Sequence, residues 1–190
     1  RTFDDADRII VATTQARRVV IVGASCLGME AAAFLKEREL EITVVAPDTV
    51  PFDKAFGEKI GRWIQQKHEA QGTHFFLGHT VARIEGNGWV ERVVLDTGEV
   101  LEADLVLVGI GVRPATDFVE HADKHDDGGL PVDATLQLAE GVWAAGDVAR
   151  FPDPHVNAPV RIEHWRLAQQ HGRYAARQMR GTASAYDAVP

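Results

Sequence analysis

Gly23 and Gly28 stand directly after the apolar run Val19-Val20-Ile21-Val22 and just before Met29-Glu30-Ala31-Ala32. Glycines at that spacing, between a buried strand and a helix, can hold a phosphate. The first lets the chain turn sharply out of the strand, and the second lets the helix lie close to the sheet. The helix then starts with backbone N–H groups that lack partners within it, and with a partial positive charge. A dinucleotide pyrophosphate is the guest such a turn accepts. Ser25 fills the middle place of the G-x-G-x-x-G pattern. Its side chain narrows the approach, but its hydroxyl can donate to a phosphate oxygen.

In NAD-binding turns an acidic residue about 20 positions farther on grips the ribose. Ala46 stands there, with Asp48 two residues beyond and Lys54 as the nearest cation. The balance leans towards NAD and leaves NADP open. The sole cysteine, Cys26, excludes an internal disulfide framework and a redox dithiol pair. At a helix N-terminus a thiolate is stabilised, although a small side chain packed beside the loop is the simpler reading. The 8 histidines are scattered, and only His164 and His171 are placed to share one helix face. With no third ligand at zinc-like spacing, no metal site is expected. No side chain stands out as a catalytic acid or base.

The elements that must position these residues follow from periodicity. Residues 4–13 read as an amphipathic helix with Ile9, Ile10 and Ala12 inward. Residues 18–22 read as the first strand, apolar from Val19 to Val22, as a parallel strand covered on both faces should be. A helix over 27–38, a strand over 41–45, a helix over 56–71 and a strand over 73–77 complete a β-α-β-α-β order, hence a parallel sheet with right-handed crossovers. In the longer helix Ile60, Trp63 and Ile64 share a face, and Gly72 is a natural stop. Short alternating segments at 79–85, 89–95 and 99–102 flank Asn87-Gly88 and Thr97-Gly98, which predicts an antiparallel meander. Residues 103–108 read as a return strand. Beyond Pro114 the expected elements are strands over 130–138 and 142–145, a proline-rich loop over 151–159 and a helix over 162–179.

The chain has 190 residues, 45% of them hydrophobic, and a formal charge of -8. That supports a sizeable core and argues against nucleic acid as a partner, since no basic stripe is dense enough to overcome the charge. No apolar run approaches the roughly 18–20 residues of a membrane span. The acidic start Arg1-Thr2-Phe3-Asp4-Asp5-Ala6-Asp7 has no signal-peptide pattern, and a cytoplasmic location is expected.

Three ordered segments resemble signatures of FAD-dependent pyridine-nucleotide reductases. They are Gly23-Ala24-Ser25-Cys26-Leu27-Gly28-Met29-Glu30, then Gly109-Ile110-Gly111-Val112-Arg113-Pro114, then Val142-Trp143-Ala144-Ala145-Gly146-Asp147-Val148. With Glu163-His164-Trp165, the likeness is to the ferredoxin-reductase-like and apoptosis-inducing-factor-like branch, over nearly the whole chain. The resemblance implies an α/β fold: a Rossmann-like parallel sheet with helices on both faces and an inserted antiparallel β-meander, followed by part of an FAD-binding domain. It divides the chain into a lead-in helix over 1–16, an NAD(P)H-binding domain over 17–114, and the returning segment of a split FAD-binding domain over 115–190. The other half of that domain and a C-terminal domain would lie outside this sequence. Residues 115–181 would then be loosened, rearranged or paired with another copy in a homodimer.

The same resemblance assigns roles. Gly23, Ser25, Cys26, Leu27, Gly28, Glu30, Asp48 and Gly111 would serve the nicotinamide nucleotide, with Glu30 facing the flavin and pairing with a lysine not in this chain. Gly146 would let the chain pass close to FAD, and Asp147 would accept from a ribityl hydroxyl. Trp165 would lie near the isoalloxazine, with Glu163 and His164 on the nicotinamide side. The expected function is transfer of hydride from NAD(P)H to FAD, and of electrons on to a ferredoxin, a Rieske-type protein or a similar acceptor. The alternative is a non-catalytic nucleotide-binding or redox-signalling module of apoptosis-inducing-factor type. The disulfide-reducing members need a second cysteine and are excluded.

Overall fold

Arg18–Val22 forms β1, with Val19, Val20 and Ile21 fully enclosed, as its unbroken apolar run requires. It lies inside the parallel sheet of a computed structural model that describes residues 2–120, 123–181 and 184–187. Two compact units make up the chain, Arg1–Gly111 and Val112–Pro190.

In the first unit α1 (Phe3–Thr13) precedes β1. Then come α2 (Cys26–Lys36), β2 (Glu41–Ala46), α3 (Asp53–Glu69) and β3 (Thr73–Leu77). The meander is β4 (Val81–Glu85), β5 (Arg92–Leu95) and β6 (Val100–Glu102), and β7 (Leu105–Val108) returns to the sheet. The parallel order is β3-β2-β1-β7, with Ile21 opposite Val44 on one side and Leu107 on the other. One face buries Val19, Ile21, Ile42 and Val44 against Met29, Ala32 and Leu35 of α2, with Ile64 of α3 beside them. The other face, with Val20 and Val45, packs on Val93 and Leu95 of β5 and on Ala103. The cover there is the meander rather than a helix, because β5 turns Val93 and Leu95 onto the sheet.

Two amphipathic readings are corrected. Ile9 and Ile10 of α1 are exposed, and among the buried residues α1 contributes only Thr13. Along α3, Ile60 and Trp63 are exposed while Ile64 packs inward. That helix starts at Asp53, earlier than its apolar spacing indicates, and is broken at Gly57, whose φ is 73°. Periodicity identifies an apolar stripe, but burial needs a neighbouring element to receive it.

The sheet is strapped at the N-terminal ends of β1 and β7. Arg17 and Arg18 donate backbone N–H groups to one Asp104 oxygen at 3.0 and 2.8 Å, and the Arg18 guanidinium reaches the other at 2.6 Å. The Arg18 side chain beside it, with these amides, holds the Asp104 carboxyl well below the usual carboxylate range. Asp104→Asn keeps the shape but loses the charge, so it should cost about 1–3 kcal/mol in urea unfolding at neutral pH. An unchanged midpoint would show that the strap contributes nothing.

The second unit holds β8 (Leu130–Pro131), β9 (Gln137–Ala139), β10 (Val142–Trp143), β11 (Ala149–Asp153), β12 (Ala158–Val160) and α4 (Trp165–Gln178). The strand expected over 130–138 is split. Asp133 accepts from the N–H groups of Thr135 and Gln137 at 2.7 and 2.9 Å, and Leu136 takes φ 60°. The proline-rich stretch is a hairpin rather than a loop, with Pro152 opposite Pro159. Prolines fit there because that pair needs no N–H exchange, and β8 pairs only with Ala149 and Arg150 on the far side. Leu130, Leu136, Phe151, Leu167 and Tyr186 pack together as this unit's own core.

Candidate functional site

The strand order reverses between β1 and β7, since the chain runs outward to β3 before returning to the other side of β1. At such a switch point the C-terminal strand ends leave a crevice. The crevice here has a volume of about 260 Å³ and is walled by Gly23–Cys26, Pro47, Asp48, Phe52–Ala55, Gly109 and Ile110.

Its floor is made by glycines that leave no room for side chains. A Cβ on Gly23, which has φ 110°, would collide with the Gly109 carbonyl oxygen, and one on Gly28 would collide with the Gly23 carbonyl. Gly109 is fixed by donating its N–H to Val22 at 2.7 Å. The first helical bond of α2 runs from Met29 N–H to the Ser25 carbonyl at 3.0 Å, so the N–H groups of Cys26, Leu27 and Gly28 have no helical acceptor. Ser25 caps the helix by backbone alone, and its exposed hydroxyl makes no capping bond. This donor set, over a floor that a Cβ would block, fits a pyrophosphate.

The wall after β2 is tied to the floor. Phe52 donates its N–H to the Ala24 carbonyl at 3.0 Å and takes a left-handed φ of 56°. Gly78 donates to the Asp48 carbonyl at 3.0 Å. Asp48 is half-buried and shares the wall with Asp53 and Lys54. Gly23, Ser25, Cys26 and Asp48 therefore line one crevice, and Gly28 lies beneath it. Leu27 and Glu30 are exposed on α2 outside the lining, and so is Gly111, whose φ is 109° with open space around it. Phe52, Asp53 and Ala55 join the wall without having been singled out, beside Pro47, the nearest cation Lys54, and Gly109 and Ile110 of the second signature. A signal for Gly109 existed, because it is the first residue after the return strand.

In the second unit, Gly146–Val148 makes a short 3₁₀ turn. Gly146 has φ 76°, and a Cβ there would lie 3.0 Å from the Ala168 Cβ. The Asp147 side chain is exposed at this turn. An exposed carboxylate on a turn that excludes a Cβ fits a hydroxyl-bearing cofactor passing close by. Helix α4 begins at Trp165, later than expected, because His164 is its N-cap: His164 Nδ1 accepts from Arg166 N–H at 3.2 Å. Glu163 and His164 thus precede the helix, and His164 shares no helix face with His171. Trp165 is 64% exposed, stacked on His164 with ring centres 5.8 Å apart and with Arg166 over its ring at 5.7 Å.

Comparison with known proteins gives the lineage. The family model for pyridine nucleotide-disulphide oxidoreductases matches residues 1–172. Apoptosis-inducing factor 3 of Homo sapiens is 37% identical over 100% of this chain, which covers 32% of that protein. The anthranilate 1,2-dioxygenase system ferredoxin–NAD(+) reductase component of Burkholderia cepacia is 31% identical over 100% of this chain and 47% of its own length. A ferredoxin reductase from Rhodopseudomonas palustris superposes with TM-score 0.91 at 29% identity, over 100% of this chain and 48% of that one. The chain spans about a third to a half of these relatives' length. No helix among the described residues is long and apolar enough to cross a membrane. With a glycine-floored crevice at the switch point and a family match over most of its length, the chain belongs to the pyridine nucleotide-disulphide oxidoreductase family.

Proposed function

We propose that this chain is the NAD(P)H-binding part of a flavoprotein oxidoreductase, which passes hydride from NAD(P)H to FAD and electrons on to a ferredoxin or similar iron–sulfur protein. The observation that carries the reading is the crevice floor, where Gly23 and Gly28 exclude side chains beneath the open N–H groups of α2. When bound, the nicotinamide nucleotide supplies the hydride and FAD takes it up. The chain's own part is to bind and orient. The α2 amides and Ser25 hold the pyrophosphate. Asp147 accepts from a flavin hydroxyl, and Trp165 with Glu163 and His164 faces the reacting rings. The ferredoxin-type partner draws support from the name of the Burkholderia relative. A cytoplasmic location belongs to the same reading and rests on the single cysteine.

NAD is favoured over NADP, because two carboxylates, Asp48 and Asp53, outnumber the one cation, Lys54, on the crevice wall. A 2′-phosphate would meet net repulsion there, whereas a ribose hydroxyl can donate to Asp48. Titrating the chain with NADH and NADPH by fluorescence should show weak binding of NADH and weaker binding of NADPH. Asp48→Ser should lower NADH affinity about tenfold and narrow the gap, the size expected for one charge-assisted hydrogen bond. Equal binding of both nucleotides by the parent chain would refute the preference, and no binding of either would refute the site.

A further inference from the structure

We propose that Arg161 is a positioning residue for the flavin contact, clamping the backbone of Asp147 to Glu163. This rests on the reading that the Asp147 carboxylate meets FAD. The Arg161 side chain is 12% exposed and spans three acceptors. Its Nη1 donates to the Asp147 carbonyl at 3.2 Å and to Glu163 Oε1 at 2.7 Å, and its Nε donates to Asp127 Oδ2 at 3.1 Å. Asp127 is anchored in turn, accepting from Gly129 N–H at 2.9 Å and from Arg150 Nη1 at 3.0 Å. Gly129 is required by this arrangement, because a Cβ there would come within 2.8 Å of the Arg161 Cδ. Burial works against the Arg161 charge, but Glu163 and Asp127 outweigh it and raise its pKa above the ordinary value.

The geometry goes beyond an ion pair that steadies a surface. The Gly146–Val148 turn is gripped twice, by His171 Nδ1 accepting from Gly146 N–H at 3.3 Å and by Arg161 donating to the Asp147 carbonyl. The Asp147 side chain is left exposed, so its direction is set by backbone that others hold. Arg161 also joins the two segments proposed to meet the cofactors, since Glu163 precedes the exposed Trp165. A planar guanidinium can serve three acceptors in fixed directions, and an ammonium cannot.

The test is a double-mutant cycle in the FAD-loaded protein that carries this chain, with FAD dissociation constants read from flavin fluorescence and thermal midpoints read alongside. Arg161→Met should weaken FAD at least about tenfold, and Arg161→Lys should not restore it, as loss of a charge-assisted clamp predicts. In an Asp147→Ala background, Arg161→Met should add little, because the side chain it orients is gone. Independent losses, or a lower thermal midpoint with FAD affinity unchanged, would overturn the positioning role. Should Arg161→Met not fold, Arg161→Lys carries the same cycle. Parent-like FAD affinity in Asp147→Ala alone would overturn the Asp147 reading and the proposal with it, whereas a loss in Asp147→Ala without one in either Arg161 variant would overturn the proposal only.

Discussion

A Gly23→Val chain will lose nucleotide binding and much of its stability together. Gly23 sits at φ 110°, where an L side chain is strained whatever the space, and the added Cβ would collide with the Gly109 carbonyl. Gly109 cannot retreat freely, because its N–H is bonded to Val22 at the end of β1. The substitution therefore either strains the turn or pries β7 from β1. Backbone strain and overpacking together should cost about 2–5 kcal/mol. Urea unfolding with NADH titration measures both effects. Gly88→Ala is the control, since Gly88, in the turn between β4 and β5, has φ 83° but nothing within 4 Å. It should cost only about 1 kcal/mol of conformational strain and leave NADH binding intact. A folded Gly23→Val chain that binds NADH like its parent would remove the crevice floor from the site.

The second large effect is a loss of stability on mild acidification, traced to His171. The ring is fully buried, edge-on to Phe151 and Tyr186 with centres 4.7 Å away in each case. Its Nδ1 accepts from Gly146, and Nε2 is buried without a partner among the described residues. A proton on both nitrogens would cost that acceptor and place a charge in an apolar core. Burial accordingly pushes the pKa down from 6.5 to about 4. The sign follows from proton counting: between those values the unfolded chain binds more protons than the folded one. The contribution is fully present above pH 6.5, falls away as the pH drops towards 4, and changes no further below that. Its full size is about 3 kcal/mol. Burial pushes His68 in the same direction, so some slope should persist without His171. His171→Gln keeps an acceptor for Gly146 and removes the titration. Its unfolding free energy should keep only the shallower slope left by His68 from about pH 7 to 4.5, while the parent's falls by about 2–3 kcal/mol. Parallel slopes would show that the ring is not held neutral.

Much of the first unit is legible in its residues. Strands β1 and β3 have the bounds their composition predicts, and in β1 the run Val19–Val22 is apolar because the strand is covered on both faces. Asn87-Gly88 and Thr97-Gly98 mark real turns, with Gly88 at φ 83° and Gly98 at φ 86°. Such turns are local and need nothing beyond the residues in them. The turn of residues 23–28 is legible for the same reason: strand, glycine and helix start are all written within a dozen positions.

What needed the fold is whatever depends on a neighbour distant in sequence. Gly109, rather than Gly111, meets the phosphate turn because β7 lies beside β1, and spacing along the chain does not reveal which strand returns there. The exposure of Ile60 and Trp63 shows the same limit, since a stripe becomes core only if another element covers it. Arg161 is the clearest case. Its partners Asp127 and Asp147 lie 34 and 14 residues away, and no pattern around an arginine announces that it will be buried between them. Sequence alone determined that a strand–glycine–helix turn exists and what it is made of, because a turn is a local arrangement of backbone. The tertiary structure alone decided which residues wall its crevice and which ones hold the Gly146–Asp147 turn, because burial and ion pairing are set by what the rest of the chain brings close.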